Sequence, residues 1–228
     1  MENKFLRTFF APLLFLCLLS GCAESPTDYT EFIKAKPRSI LILPPMNNSP
    51  EVHAGNSFSA WSSIPVAEAG YYVLPVALTT ETFRQNGMTE ASEIQALPIQ
   101  KLRSIFGADA AMYITVEKFG TSYAVLTSQT EVQASGRLVD LRTGTELWRG
   151  SVYANDGGGS SGDLLTMLVT AAVDQVVKSV SDHAHNSLAG PAANKLYRRT
   201  NHGLLPGPYY PAGNEESPHG QFSAGKDL

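Results

Sequence analysis

Cysteine is nearly absent from this chain: it occurs twice in 228 residues, at Cys17 and Cys22. With so few thiols, stability has to come from a packed core rather than from disulfide staples. Charge is sparse as well. Asp, Glu, Lys and Arg together make up 17% of the residues and leave a formal net charge of −4. Without an extended Lys/Arg stripe, nucleic acid is excluded as an expected partner. Long apolar runs are also missing. Phe9 to Leu19 is too short to span a bilayer, which takes ~20 apolar residues, and the stretch at 164–180 is interrupted by Asp174, Gln175 and Lys178. There is no phosphate loop, Rossmann fingerprint or HExxH motif, so no cofactor and no metal are expected.

What is present begins at the N-terminus. Lys4 and Arg7 precede the short apolar run, and Leu19-Ser20-Gly21-Cys22 follows it. Basic residues, an h-region and small residues before a cysteine are the parts of a secretory signal. The last four residues resemble a bacterial lipobox. In that motif the Cys22 thiol is acylated, palmitate being one of the chains, and the chain is cut just before it. An ordinary secretory cleavage site is the alternative, but the A-x-A pattern it needs is lacking. Anchoring that takes more than one acyl chain to hold is met by the three chains of such a cysteine. The next residue is Ala23 rather than Asp, which by the enterobacterial sorting rule favours the outer membrane, with the module facing the periplasm. Cleavage removes Glu2, Lys4 and Arg7, leaving 15 basic and 20 acidic residues and a formal charge of −5.

Hydropathy divides the remainder. Residues 1–21 read as signal peptide, 22–37 as a polar tether, 38–188 as an α/β domain and 189–228 as an irregular arm and tail. Ser39 to Leu43 is an unbroken apolar run of the kind buried on both faces of a parallel or mixed sheet. Met46 to Gly55 is loop-like. Asn56 to Ala67 reads as a helix with Phe58, Trp61 and Ile64 at threefold spacing. Tyr71 to Val76 is a strand that Pro75 pushes toward an edge or a strand end. Helices follow at Ala77–Asn86 and from Pro98 to Gly107. The second has Ile99, Leu102, Ile105 and Phe106 on one face, and Ser92 to Gln95 supplies a capping box. Alternation then changes to period two. Ala110, Met112, Ile114 and Val116 form one strand, Gly120 a turn, and Tyr123, Val125 and Thr127 start another strand. Val132 to Leu141 either continues that strand or forms the next. Arg142-Thr143-Gly144 is a tight hairpin with Gly144 at positive φ, and Leu147 to Ala154 is the last strand. Gly157 to Gly162 is a flexible break. After it, Leu164, Leu168, Ala172, Val176 and Val180 recur every four residues, with Leu165, Val169, Val173 and Val177 beside them, as one broad apolar helix face.

Two segments carry a family resemblance. They are Gly107-Ala108-Asp109-Ala110 before a strand and Val139-Asp140-Leu141-Arg142-Thr143-Gly144-Thr145-Glu146-Leu147-Trp148 across a hairpin. Both resemble the CsgG and TolB-N-terminal-like group of envelope proteins. More narrowly, residues 22–210 resemble a family of periplasmic lipoproteins typified by a neisserial vaccine-candidate antigen; Ile40 to Asn48 and Pro208-Tyr209-Tyr210-Pro211 fit it too. The resemblance implies a TolB-N-terminal-like α/β sandwich of two or three layers, a mixed sheet flanked by helices, and no enzymatic activity. Relatives include a secretion-pore subunit, a Tol-complex component and an activator of a peptidoglycan synthase, so fold does not fix function. No β-propeller and no long amphipathic hairpin that would line a pore is read from this chain. Asp109 is expected to cap or turn the chain after a helix, Trp148 to be core, and Gly144 to serve backbone geometry.

Candidate chemistry is thin. Gly158-Gly159-Ser160-Ser161-Gly162 matches G-x-S-x-G, and Asp174, Asp182, His183, His185 and His202 follow in triad order. A run of Gly and Ser does not hold a strained elbow, so a connector is the reading retained. Asp182, His183 and His185 could serve as ligands only where the helix has ended, since residues i and i+2 do not face one another on a helix, and no Cys can contribute to the three or four ligands a zinc site needs; a polar helix end is the reading retained. His53 and His219 carry no motif. Lys195, Arg198 and Arg199 form a small basic cluster on a solvated surface. Two surfaces remain as candidates. One is the helix face of Leu164, Leu168, Val169, Val173 and Val176, which covers its own sheet or packs across a dimer. The other is the arm with Tyr209 and Tyr210, which folds back or reaches a neighbouring subunit. The expected function is a non-enzymatic, outer-membrane-anchored adaptor in an envelope transport or secretion system. Its expected partners are the membrane, CsgG-like lipoproteins, transport machinery, and further copies of itself as a homodimer or larger homo-oligomer. The alternative is a regulatory lipoprotein that binds a peptidoglycan synthase.

Overall fold

In the computed structural model the described residues are 27–124, 127–155, 184–198 and 202–211. The apolar run after Pro37 forms β1 (Ser39–Ile42), an interior strand of a mixed sheet ordered β3-β1-β4-β5-β6. β3 (Tyr72–Val73) and β4 (Ala110–Ala124) flank β1 in parallel; β5 (Thr127–Asp140) and β6 (Glu146–Asn155) continue as an antiparallel meander. β2 (Met46–Asn47) lies in what reads as a loop and adds a short parallel pairing to β4.

Side-chain alternation assigns each face. Ile40, Ile42, Ala110, Met112, Ile114 and Val116 point to one core, together with Phe58, Trp148 and Leu196. Leu41, Leu43, Ala111 and Tyr113 point to the other, with Phe83, Ile94 and Leu102. The first face is covered by α2 (Ala54–Glu68) and α6 (Ala184–Tyr197). The second is covered by α3 (Val76–Gln85), α4 (Ala91–Gln95) and α5 (Ile99–Phe106). The parallel half is therefore three layers. Towards β6, among the described residues, no helix covers the second face, and Arg137, Arg149 and Tyr153 are exposed.

Several local readings hold. Gly107 closes α5 in the left-handed region and Gly144 turns the β5–β6 hairpin at φ +79°. β3 is an edge strand, shortened to two residues ahead of Pro75. Others need correction. Gly120 is no turn: β4 runs through it, and the β4–β5 register continues to Ala124↔Thr127, with a bulge between Val116 and Lys118. A glycine inside a strand marks a bend or bulge as readily as an end, and the result is the long hairpin that the alternation did not reveal. Ser92 does not open a capping box, because α4 starts at Ala91 with no side-chain cap. Gln95 instead donates from Nε2 to the Pro44 and Ile114 carbonyls, at 2.9 and 3.0 Å. On α5 Ile105 lies at the edge of the packed stripe and is 44% exposed. Trp61 and Ile64 are likewise half-exposed while Phe58 is buried.

The two ends of the chain depart furthest from the sequence reading. The segment read as tether is folded from Thr27, with α1 (Thr30–Ala35) burying Phe32 in the first core. The segment read as irregular from Ala189 is helical up to Tyr197, through Pro191. Ala189, Ala192, Ala193 and Leu196 are buried at helical spacing, and burial outweighs the weak helix propensity of a Pro- and Gly-containing stretch.

Candidate interaction surfaces

Chain entry, chain exit and sheet meet at one end of the molecule. Asp109 does not cap α5. Its Oδ2 accepts from the Arg38 amide at 2.9 Å and the Ser39 amide at 3.3 Å, and its own amide donates to Ser39 Oγ at 3.0 Å, so it ties the start of β4 to the start of β1. Asp140 is 2% exposed, and its Oδ1 accepts from the Arg142 amide at 2.6 Å. The Arg142 guanidinium bonds Asp140 Oδ2 at 2.9 Å and the Ala35 carbonyl at 2.7 Å, joining the hairpin turn to the end of α1. Burial alone would raise the Asp140 pKa; the Arg142 side chain and amide outweigh it and hold the carboxyl below its ordinary value.

The C-terminal arm folds back onto this end. Tyr29 and Tyr71 donate from their hydroxyls to the Gly203 and Leu205 carbonyls, at 2.6 and 2.7 Å. Burial pushes the Tyr71 phenol above its ordinary pKa. Gly207 N–H reaches the Ala69 carbonyl at 2.7 Å, and Tyr209 N–H the Gly70 carbonyl at 3.0 Å. This approach needs glycine on both sides: a Cβ on Gly70 would run into the Tyr210 backbone, and one on Gly207 into the Gly70 carbonyl. Leu204 and Leu205 are buried. The Trp148 indole N–H donates to the His202 carbonyl at 2.7 Å, and His202 Nδ1 lies 2.8 Å from Thr27 Oγ1.

Between α1 and the arm lies an apolar groove of about 260 Å³, whose walls include Phe32, Ile33, Lys36, Leu205 and Pro208. At the opposite end of β1 a wider cavity of about 610 Å³ lies among Pro44, Asn48, Asn56, Met88 and Glu90. Arg84 at its rim is paired with Glu81 at 2.6 Å.

The residues singled out in the sequence are only partly assembled here. Tyr209 is 56% exposed and its hydroxyl accepts from Arg38 at 3.2 Å; Tyr210 is half-buried against Gly70. Cys22, Ser160, Leu164, Leu168, Val169, Val173, Asp174, Val176, Asp182 and His183 lie outside the described residues, as does His219. His185 is on the backbone of α6, His53 precedes α2, and His202 is at the arm, so these histidines do not converge. Among the described residues no group of three metal-ligating side chains is found. In the basic cluster Lys195 bonds the Tyr153 carbonyl at 3.1 Å and Arg198 pairs with Glu68 at 2.6 Å. The groove itself went unread in the sequence. Its signal is small: Tyr29, Phe32 and Ile33, apolar residues set in a segment otherwise polar enough to pass for a tether.

These features define a small α/β module, a mixed sheet between helices with Thr27 and the 202–211 arm brought to one side. The chain belongs to the family described as "Putative lipoprotein GNA1162-like", which matches residues 27–209. It is 45% identical over 196 residues to the Neisseria meningitidis serogroup B protein "Putative lipoprotein NMB1124/NMB1162", covering 84% of this chain and 91% of that one. The crystal structure of lipoprotein GNA1162 from Neisseria meningitidis aligns at a TM-score of 0.51 and 50% identity, over 62% of this chain and 99% of that one. A PelC dodecamer from Paraburkholderia phytofirmans aligns at a TM-score of 0.43 and 13% identity, over 70% of this chain and 84% of its own. A likeness that distant says nothing about assembly here.

Proposed function

We propose that the protein is a non-enzymatic adaptor, acylated at Cys22, held on the periplasmic side of the outer membrane. In this reading it works as a homo-oligomer within an envelope transport or secretion system, beside other lipoproteins of CsgG-like build. The observation that carries the proposal is membership of a lipoprotein family together with the bond of Thr27, five residues after Cys22, to His202 of the folded arm. Five residues reach at most ~18 Å, so the module is held close to the bilayer. On its other side the described β4–β5 pairing runs past Asn155↔Glu131, the last described β6 pair, to Ala124↔Thr127.

Crosslinking in intact cells, followed by purification of the lipidated protein and partner identification, tests this. Self-crosslinks and components of an envelope transport system are expected. Recovery of no envelope protein contradicts the proposal, and recovery of a peptidoglycan synthase in place of transport components moves the role to regulating that enzyme.

A further inference from the structure

We infer that the face formed by α1 and the C-terminal arm is a membrane-docking surface. It lays Ile33, Lys36, Arg38, Pro208 and Tyr209 on the phospholipid leaflet that holds the Cys22 acyl chains. This rests on the anchored reading above and adds to it a fixed orientation.

Chain length selects this face. The described structure begins at Thr27, which is bonded to His202 at the base of the arm. α1 follows three residues later and is only ~9 Å long, so the groove and the point where the anchor enters share one end of the molecule. That end also holds Arg38, Tyr71 and Asp109, the residues just before the starts of β1, β3 and β4.

Chemistry fits a lipid surface. Ile33 is 41% exposed and opens onto the apolar groove that Pro208 also lines, and Tyr209, next in the chain, is exposed. Aromatic and apolar side chains flanked by cations are what a bilayer interface accommodates. Lys34, Lys36 and Arg38 fall within five residues of a chain that is acidic overall. Asp28 and Glu31 share the face, and Glu31 is taken by Lys34 at 2.7 Å. Lys36 and Arg38 have no ion pair to a carboxylate among the described residues, which leaves them for lipid phosphates. The Arg38 guanidinium lies 5.9 Å from the centre of the Tyr209 ring, so cation and aromatic are presented together.

Lys36 adds an independent sign. It has φ +46°, the only positive φ of a non-glycine residue in the described chain, at the C-cap of α1, where glycine or asparagine is the usual occupant. Backbone strain kept at a cationic, exposed position points to a use for that side chain.

Orientation follows from topology. β4 runs parallel to β1, away from this face, and its 15 residues span ~50 Å. The tip of the β4–β5 hairpin is thereby directed into the periplasm.

The mature protein has no free thiol once Cys22 is acylated, so a single introduced cysteine can carry an environment-sensitive dye. Ile33→Cys, Tyr209→Cys and, at the opposite cavity, Thr89→Cys are labelled in lipidated protein on phosphatidylethanolamine/phosphatidylglycerol vesicles. Doxyl-lipid quenching at least threefold stronger at positions 33 and 209 than at 89 is expected, and K36E/R38E, checked for unchanged Tm, should abolish the difference. Equal quenching at all three positions, or the strongest at 89, on protein that floats with the vesicles overturns the docked face and leaves the anchor standing. Protein that does not float with the vesicles overturns both.

Discussion

Trp148 shows how one side chain organises this fold. Its indole stacks at 5.7 Å on Tyr197, bonds the His202 carbonyl and lies across Gly150, where a Cβ would meet the ring. A larger residue at position 150 must displace the tryptophan or the strand. Gly150→Ala should therefore lower stability by about 1–3 kcal/mol, a fall in Tm of roughly 3–10 °C by calorimetry. An unchanged Tm would mean that the indole is not seated as described.

Asp140 makes a pH-dependent contribution of definite sign. Its carboxyl is held below its ordinary value by Arg142, against the cost of burial. The unfolded chain titrates near ~3.9, so the stabilisation is present above that pH and is lost as pH falls through the lower folded value. Asp140→Asn should reduce Tm at pH 7, and its deficit against wild type should shrink as both are acidified below pH ~4. A deficit independent of pH would remove the carboxylate from the account.

At the scale of elements, the C-terminal arm departs most from its composition. Pro, Gly and Tyr from Ala189 onward read as irregular chain, yet α6 buries Ala189, Ala192, Ala193 and Leu196, and the arm beyond it buries Leu204 and Leu205. Local propensity could not reveal this, because the stabilisation comes from α2, β5 and β6, which lie far away in sequence. Truncation after His202 removes both leucines and the backbone bonds to Ala69 and Gly70. Each buried leucine contributes ~1.5–3 kcal/mol, offset in part by the cost of ordering the arm. A net loss of about 2–4 kcal/mol and a Tm fall of roughly 5–15 °C are expected. A truncated protein with unchanged Tm and oligomeric state would show the arm to be dispensable.

Legibility from sequence followed the range of the interaction. Runs of apolar residues with a fixed period, such as Ser39–Leu43 and Ala110–Val116, read as the strands they form, because alternation records burial directly. The Arg142–Gly144 turn was legible because its backbone geometry is written in local residue types. The path of β4 through Gly120, the reach of Gln95 to two carbonyls and the folding of Thr27–Lys36 were not, since each depends on a partner distant in sequence.

At the scale of the whole molecule, the proposed role needs a module that brings Thr27 and the 202–211 arm together and is fixed to a membrane through one sulfur. The chain belongs to a lipoprotein family, and the five-residue interval from Cys22 to Thr27 makes the proposed anchor a matter of orientation as well as location. Metabolic labelling with a palmitate analogue, coupled to membrane fractionation of wild type and Cys22→Ala, tests this most directly. The account predicts label and membrane retention in wild type, and loss of both in the variant. An unlabelled wild type, or a Cys22→Ala protein that still fractionates with membranes, would contradict it.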